Sequence, residues 1–297
     1  MGLQKKMKTA LRLIKQGHIS ELYIRTLSRI KAKKIIAKGG VAVSAVTCIV
    51  THRCTLKCKN CAALIQYFKS PKDIPRQQVF RDIDLLMSKI DYTHILLFVG
   101  GEIFSLKEVA GFVEYSLKYK NQFGLIVITT NGTILPSDDE LNALAMFRKY
   151  INIEISDYGD TSPYLNTLQN KLHQRKIICK INNNEWKDWQ RISNEPQNGK
   201  RNYQNCLAAA DTNFILCNGK LYHCGFLAAG ETLGSFPFSK DNHVDLLNPC
   251  AAQDIVKYKS INSIPPGCNY CGGYTKDAAV VPTAEQITEP LDYKIYS

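Results

Sequence analysis

The feature that most constrains the fold is an alternation of short apolar runs with helix-like segments between residues 41 and 184. The apolar runs are rich in β-branched residues, and polar residues or glycine follow them. They cover residues 42–50, 94–99, 124–129, 150–155 and 176–181. Helix-like stretches lie between them at 76–90, 106–120 and 139–149. Such alternation predicts βα units and a parallel sheet or barrel, whose functional groups lie at the carboxyl ends of the strands.

Beyond residue 200 the pattern changes to short strands, frequent glycines and recurring cysteines. The polar stretch NEPQNGKRN at 194–202 contains Pro and Gly and is typical of a domain boundary. We therefore expect four parts. They are a basic helical extension (1–40), an α/β domain (41–200), a small cysteine-containing domain (201–275) and a tail (276–297).

Eleven cysteines in a chain of 297 residues are a high number. The amino-terminal stretch is too polar for a secretory signal, and the longest apolar stretch, 39–50, is too short to span a bilayer. The sequence therefore predicts a cytoplasmic protein, in which clustered cysteines more often bind metal than form disulfides.

The net charge of +12 is concentrated at the amino end, because residues 1–40 hold eleven Lys or Arg and one acid, Glu21. A basic amphipathic segment of this kind is compatible with peripheral contact with an anionic membrane or with an anionic substrate. A solvated extension packed on the domain explains the pattern equally well. Nucleic acid ranks low as a partner, since no motif of a known binding module is present.

Three cysteines, Cys54, Cys58 and Cys61, lie in one loop after the first predicted strand, at C-x3-C-x2-C spacing. Thiolates bind zinc or iron–sulfur clusters. Structural zinc normally takes four protein ligands, whereas three thiolates suit an iron–sulfur cubane with one open iron. A zinc site that takes a distant fourth ligand is the alternative.

This loop resembles the signature of radical S-adenosylmethionine enzymes. The resemblance extends over residues 45–185 and includes Gly100, Gly101 and Glu102 after the second strand. It continues with Thr130 and Asn131 after the third strand and Ser156 after the fourth. It implies an α/β fold, a partial (β/α)6 radical-SAM barrel with a small carboxyl-terminal iron–sulfur domain.

The resemblance also implies roles for these residues. The three cysteines would hold a 4Fe–4S cluster whose open iron binds S-adenosylmethionine. The two glycines would let the backbone approach the cofactor, Glu102 would accept a hydrogen bond from its amino group, and Ser156 would bind ribose. The residue before the third cysteine, often aromatic in the family, is Asn60 here.

Four further cysteines, Cys206, Cys224, Cys268 and Cys271, resemble the ligands of a twitch domain, the reduced form of the SPASM domain. This resemblance implies an auxiliary 4Fe–4S cluster, and a structural zinc ribbon is the alternative. The spacing places Gly219 in a hairpin turn before Cys224.

Of the remaining cysteines, Cys48 and Cys179 lie in apolar runs and are expected to pack in the core, as is Cys217. Cys250 follows a proline in an irregular stretch. A thiol can return a hydrogen atom to a substrate radical, so Cys250 is the candidate catalytic residue of an epimerase. A buried bystander or an extra cluster ligand is the alternative.

The resemblance leads first to a carbohydrate epimerase acting on a nucleotide sugar, an aminoglycoside or a glycan, including phosphorylated or lipid-linked ones. Its electron would come from a flavodoxin- or ferredoxin-type reductant. Alternatives are a twitch-type alcohol dehydrogenase, in which the auxiliary cluster accepts an electron, a ribosomal peptide maturase and a zinc-binding adaptor. The candidate substrate residues, in the loops after the fourth and fifth strands, are Asp157, Tyr158, Trp186 and Trp189.

Overall fold

The computed structural model describes residues 19–183, 185–189, 191–209, 213–258 and 264–296. The helices are α1 (Ile19–Ala37), α2 (Arg76–Lys89), α3 (Val109–Ser116), α4 (Asp138–Met146), α5 (Leu165–Gln174), α6 (Gly199–Gln204), α7 (Gly225–Leu233) and α8 (Ala251–Tyr258). The strands are β1 (Ala42–Thr51), β2 (Tyr92–Gly100), β3 (Phe123–Thr130), β4 (Ile151–Ser156), β5 (Ile178–Asn182), β6 (Asn213–Cys217), β7 (Lys220–Tyr222) and β8 (Val244–Asp245). The first five strands end within two residues of their predicted limits.

All of these strands belong to one sheet, in the order β5-β4-β3-β2-β1-β6-β7-β8. Strands β1 to β6 run parallel, and β7 and β8 are antiparallel to their neighbours. Six parallel strands with intervening helices form the predicted partial (β/α)6 arrangement. The sheet is open, with β5 and β8 at its edges.

The helices α2 to α5 cover the sheet because each contributes an apolar face to one core. Phe98, Ile126 and Ile128 in the central strands are fully buried in it. The start of α4 is set by Ser137, whose Oγ accepts a hydrogen bond from the backbone N–H of Glu140 at 3.2 Å. Three acidic residues in its first turn also favour this helix start.

The predicted domain boundary near residue 200 does not separate two hydrophobic cores. Strand β6 pairs with β1, and Phe214, Leu216 and Leu221 belong to the same core as the first five strands. A second cluster joins Leu64 and Tyr67, which follow the cysteine loop, to residues of α7. The region after residue 200 therefore extends the barrel, because its apolar residues are buried against the β1 edge.

The turn between β6 and β7 has the conformation that its sequence predicts. Asn218 and Gly219 have φ values of 52° and 75°. Two successive positive φ values are characteristic of a type I′ hairpin turn, which favours Asn-Gly. The predicted hairpin at Gly219 is confirmed.

The described part of the basic extension packs on the domain. The Ser28 hydroxyl in α1 lies 2.8 Å from His94 Nδ1 and accepts a hydrogen bond from the Tyr92 hydroxyl at 2.9 Å. Residues 1–18 lie outside the described part. None of the described helices is both long and apolar enough to cross a membrane.

The carboxyl-terminal residues return to the cysteine loop. The Lys59 N–H donates to the Glu285 carbonyl at 2.8 Å, and the Ile287 N–H donates to the Lys57 carbonyl at 2.9 Å. The segment continues to Leu291, whose N–H donates to the Gln66 carbonyl. The predicted tail is therefore part of the fold around this loop.

Candidate functional site

A cavity of about 300 Å³ lies at the carboxyl ends of strands β1 to β5. Its lining combines the loop after β1 with the ends of the next four strands. The predicted site residues that line it are Cys54, Cys58, Cys61, Gly100, Gly101, Thr130, Asn131 and Ser156. The fold thus brings together residues that are up to about a hundred positions apart in the sequence.

Each of the three thiols in this cavity accepts N–H hydrogen bonds. Cys54 Sγ accepts from the Leu56 N–H at 3.4 Å and from Asn131 Nδ2 at 3.5 Å. Cys58 Sγ accepts from Gln286 Nε2 at 3.2 Å. Cys61 Sγ accepts from the backbone N–H groups two and four residues later. Such donors stabilise sulfur that carries negative charge, as the thiolate ligands of an iron–sulfur cluster do.

Burial keeps these thiols protonated in the metal-free protein. It raises the pKa of Cys54 to about 12 and that of Cys58 to about 11, and it also raises the pKa of Cys61. Hydrogen bonds from Leu56 and Gln286 oppose the first two shifts. Binding of a metal group must therefore displace protons from this loop.

Gly100 and Gly101 are needed because strand β2 approaches the cysteine loop very closely. A β-carbon on Gly101 would lie 2.4 Å from the Arg53 carbonyl oxygen and 2.6 Å from Cys54 Cβ. One on Gly100 would lie 2.4 Å from Thr51 Cγ2. Besides the role toward a cofactor that was predicted for them, these glycines therefore also have a packing role, because they let the end of β2 contact the thiol loop.

Glu102 has a different position from the predicted one. Its side chain is 0% exposed and does not line the cavity. Its Oε1 accepts from the Phe104 N–H at 2.9 Å and the Thr130 hydroxyl at 2.7 Å, and its Oε2 accepts from the Asn131 N–H at 2.7 Å. Burial raises the pKa of this carboxyl group. Glu102 therefore joins the ends of β2 and β3 and orients Asn131, which in turn contacts Cys54.

One wall of the cavity is formed by the segments after β4 and β5. Tyr158, Trp186 and Trp189 line the cavity, as predicted, but Asp157 does not. Asp157 instead accepts the Gly159 N–H at 3.0 Å within its own turn. The rings of Tyr158 and Trp186 meet edge to face at 5.3 Å.

A second chain segment holds this wall in place. Trp189 Nε1 donates to the Thr275 carbonyl at 3.0 Å, and the Val281 N–H donates to the Trp186 carbonyl at 3.0 Å. The wall therefore depends on residues about ninety positions further along the chain.

The second set of cysteines also converges. The pKa of Cys268 is raised by burial and then by the neighbouring thiols of Cys224, Cys271 and Cys206. Cys224 Sγ accepts backbone N–H groups at the start of α7, and Cys271 Sγ accepts the Gly273 N–H at 3.3 Å. The four predicted auxiliary ligands thus lie near one another as a group of partly exposed cysteines.

These thiol groups do not have the geometry of a single-ion site. Within the described ranges, no three Cys, His, Asp or Glu side chains are arranged to hold one metal ion. A zinc ion would need its ligands at about 2.0–2.3 Å.

Cys250, the predicted catalytic residue, lies away from the cavity. Cys250 is exposed and does not line the cavity. It lies beside Asn248, whose carbonyl accepts a hydrogen bond from Lys89 at the end of α2. This is the amino end of the parallel strands, opposite the cavity, because α2 ends there just before β2 begins. Cys48, Cys179 and Cys217 are buried, as expected for core thiols.

Three polar residues of the site were missed by the sequence analysis. Asn182, at the end of β5, and Glu185 line the cavity. Gln286 contacts Cys58 from a position 228 residues away. The βα pattern could have indicated Asn182, as it indicated Ser156, but no local pattern marks Gln286.

Comparison with solved structures places this chain among proteins of the same fold. A crystal structure of BtrN in complex with AdoMet and 2-DOIA matches with a TM-score of 0.51 and 14% sequence identity, over 80% of this chain and 98% of that one. A histidine-tagged form of anSMEcpe with bound AdoMet matches with a TM-score of 0.45 and 12% identity, over 82% and 93% of the two chains. No protein-family model and no curated protein sequence matches the chain. The likeness to BtrN supports the α/β fold predicted from the sequence.

Proposed function

We propose that this chain is a radical S-adenosylmethionine enzyme whose loop cysteines Cys54, Cys58 and Cys61 hold a 4Fe–4S cluster. The observation that carries the proposal is the cavity in which these thiols meet the ends of β2 to β5. When bound, the cluster and S-adenosylmethionine supply a 5′-deoxyadenosyl radical that removes a hydrogen atom from an unactivated C–H bond. BtrN binds AdoMet on a similar fold, which agrees with this choice of cofactor.

The chain's own residues would bind and shield the cofactor. Thr130, Asn131 and Ser156 offer polar groups on the cavity wall, and Asn182 adds an amide beside them. The wall segment adds the rings of Trp186 and Trp189 to the lining, and these would exclude water from a bound cofactor. Glu102 acts behind the wall, because its carboxylate holds the backbone of Asn131.

We further propose that Cys206, Cys224, Cys268 and Cys271 hold an auxiliary 4Fe–4S cluster. The proximity of their thiols and the N–H bonds to Cys224 and Cys271 support this assignment. Iron and sulfide content near two cubanes per chain is the expected result after anaerobic reconstitution. Zinc in both sites after the same treatment would instead identify the adaptor alternative.

The reaction we favour is oxidation of an alcohol carbon in a sugar-type substrate, with an external flavodoxin- or ferredoxin-type reductant. Return of a hydrogen atom by Cys250 has no support, because that thiol lies at the other end of the sheet. Oxidation needs a base for the hydroxyl proton, and Glu185 provides a carboxylate on the cavity wall. It also needs an acceptor for one electron, a role that the auxiliary 4Fe–4S cluster proposed for the second thiol group would fill.

One experiment tests both levels of the proposal. Reconstituted, reduced protein is incubated anaerobically with S-adenosylmethionine and candidate sugars in deuterated water, with Cys58→Ala as the matched control. We expect 5′-deoxyadenosine from the wild-type protein and none from the control. A product that has lost two hydrogen atoms would indicate oxidation, and a product that has gained one deuterium would indicate epimerisation. Absence of 5′-deoxyadenosine from iron-loaded wild-type protein would refute the assignment to radical chemistry.

A further inference from the structure

We infer that Gln286 is a positioning residue for the thiol loop, and that its side-chain amide sets how firmly the cluster is retained and how readily it is reduced. The inference rests on the proposed function, because it concerns a ligand of the cluster proposed for this loop. It gives the carboxyl-terminal segment a function that its position in the sequence does not suggest.

The amide of Gln286 contacts the loop with both of its polar atoms. Oε1 accepts the Lys57 backbone N–H at 2.8 Å, and Nε2 donates to Cys58 Sγ at 3.2 Å. Nε2 also donates to the Ala284 carbonyl at 2.6 Å, which fixes the orientation of the amide. One side chain thus holds the main chain just before Cys58 and the sulfur of Cys58 itself.

The backbone on either side of Gln286 is held to the same loop. The Lys59 N–H donates to the Glu285 carbonyl at 2.8 Å, and the Ile287 N–H donates to the Lys57 carbonyl at 2.9 Å. Lys59 Nζ forms a 3.0 Å ion pair with Glu285, and Lys57 Nζ donates to the Thr288 carbonyl at 2.9 Å. This short antiparallel pairing leaves the Gln286 side chain little freedom to turn away from Cys58.

Cys58 differs from the other two thiols in the origin of its donor. Cys54 and Cys61 accept N–H bonds from the backbone of their own loop, and Cys54 also accepts one from the Asn131 side chain, whereas Cys58 accepts from a side chain of the carboxyl-terminal segment, 228 residues away. An N–H donor to a ligand sulfur stabilises the added negative charge of the reduced cluster and so raises its reduction potential. Groups that orient a metal ligand also contribute to the affinity for the metal, typically by 10–100-fold.

The test compares Gln286→Leu and Gln286→Glu with wild-type protein, and Gln253→Leu, at an exposed position of α8, serves as the control. Gln286→Leu removes the donor and the acceptor. Gln286→Glu keeps an acceptor for the Lys57 N–H but replaces the donor with a negative charge. The cluster of interest is identified by the electron paramagnetic resonance signal that changes on addition of S-adenosylmethionine.

We expect chelator to remove this cluster about 10–100-fold faster from Gln286→Leu than from wild-type protein. A redox titration of the same signal should give a lower midpoint potential for both Gln286 variants and an unchanged one for Gln253→Leu. Thermal unfolding of the metal-free proteins shows whether each variant folds. If Gln286→Leu does not fold, the midpoint potential of Gln286→Glu decides the question.

The possible failures are distinguishable. If wild-type protein gives no signal that responds to S-adenosylmethionine, the proposed function fails and takes this inference with it. If the wild-type signal is present and a folded Gln286 variant has the wild-type midpoint potential, the function stands and the role of Gln286 is refuted. Faster cluster loss without a change in potential would show a purely structural role and would likewise overturn the inference.

Discussion

Replacement of Glu102 by glutamine separates the structural role of this residue from direct contact with a cofactor. The carboxylate accepts three hydrogen bonds in a fully buried position, two on Oε1 and one on Oε2. In Glu102→Gln one of these oxygens becomes an NH₂ group, which cannot accept. At the least, the Asn131 N–H at 2.7 Å loses its acceptor and remains buried.

A buried donor without a partner costs about 1–3 kcal/mol. We therefore expect Glu102→Gln to lower the free energy of unfolding of the metal-free protein by about that amount. The change should show in urea denaturation as a lower midpoint with an unchanged m-value. The control, Glu114→Gln, alters an exposed carboxylate on α3 and should stay within about 0.5 kcal/mol of wild type.

The opposite result would refute this reasoning. If Glu102→Gln unfolds like wild type without metal and loses only its affinity for S-adenosylmethionine, the carboxylate binds the cofactor directly, as the sequence resemblance implied. A loss of stability without metal, accompanied by weaker cofactor binding, would confirm that Glu102 acts through Asn131.

Three other variants or conditions test the site. Gly101→Ala places a β-carbon 2.4 Å from the Arg53 carbonyl oxygen, so we expect it to lower the free energy of unfolding by about 1–3 kcal/mol in thermal denaturation. The control, Gly225→Ala, has room for its β-carbon and should leave the free energy of unfolding unchanged. Cys250→Ser should form 5′-deoxyadenosine at the wild-type rate, and a large loss would return this thiol to the mechanism. Burial raises the pKa of Cys54 and Cys58 from 9.0 to about 12 and 11. The contribution of these thiols to the stability of the metal-free fold is therefore complete below pH 9.0 and decreases as the pH rises above it. Denaturation midpoints of the metal-free protein should fall in this alkaline range, and midpoints that stay constant would contradict the reasoning.

The first five strands, and the fact that their carboxyl ends form the site, were predictable because the sequence pattern of each strand is local. A buried parallel strand needs a run of apolar, β-branched residues, and its carboxyl end carries the polar residues of the site. Thr130, Asn131 and Ser156, which the family resemblance singles out, follow such strands and line one cavity. This reasoning also identified the thiol loop, since three cysteines within eight residues cannot lie far apart.

The same reasoning did not indicate where Cys250 lies, that β6 joins the sheet at β1, or that Glu102 binds the backbone of Asn131. An irregular, proline-containing stretch has no period from which an orientation can be read, so nothing indicated that Cys250 lies at the amino end of the strands. Nor did it indicate that β6 pairs with β1 across the predicted boundary near residue 200, because a free strand edge at β1 is a property of the assembled sheet.

By itself, the sequence determined the α/β class, the strand ends that form the cavity and the grouping of Cys54, Cys58 and Cys61 in one loop, because period and spacing are properties of neighbouring residues. Only the tertiary structure decided which groups face the cavity and which support it from behind. Gln286 reaches Cys58 across 228 residues, and Glu102 turns inward to bind Asn131. Such contacts arise from how the chain closes on itself, and no short pattern in the sequence encodes them.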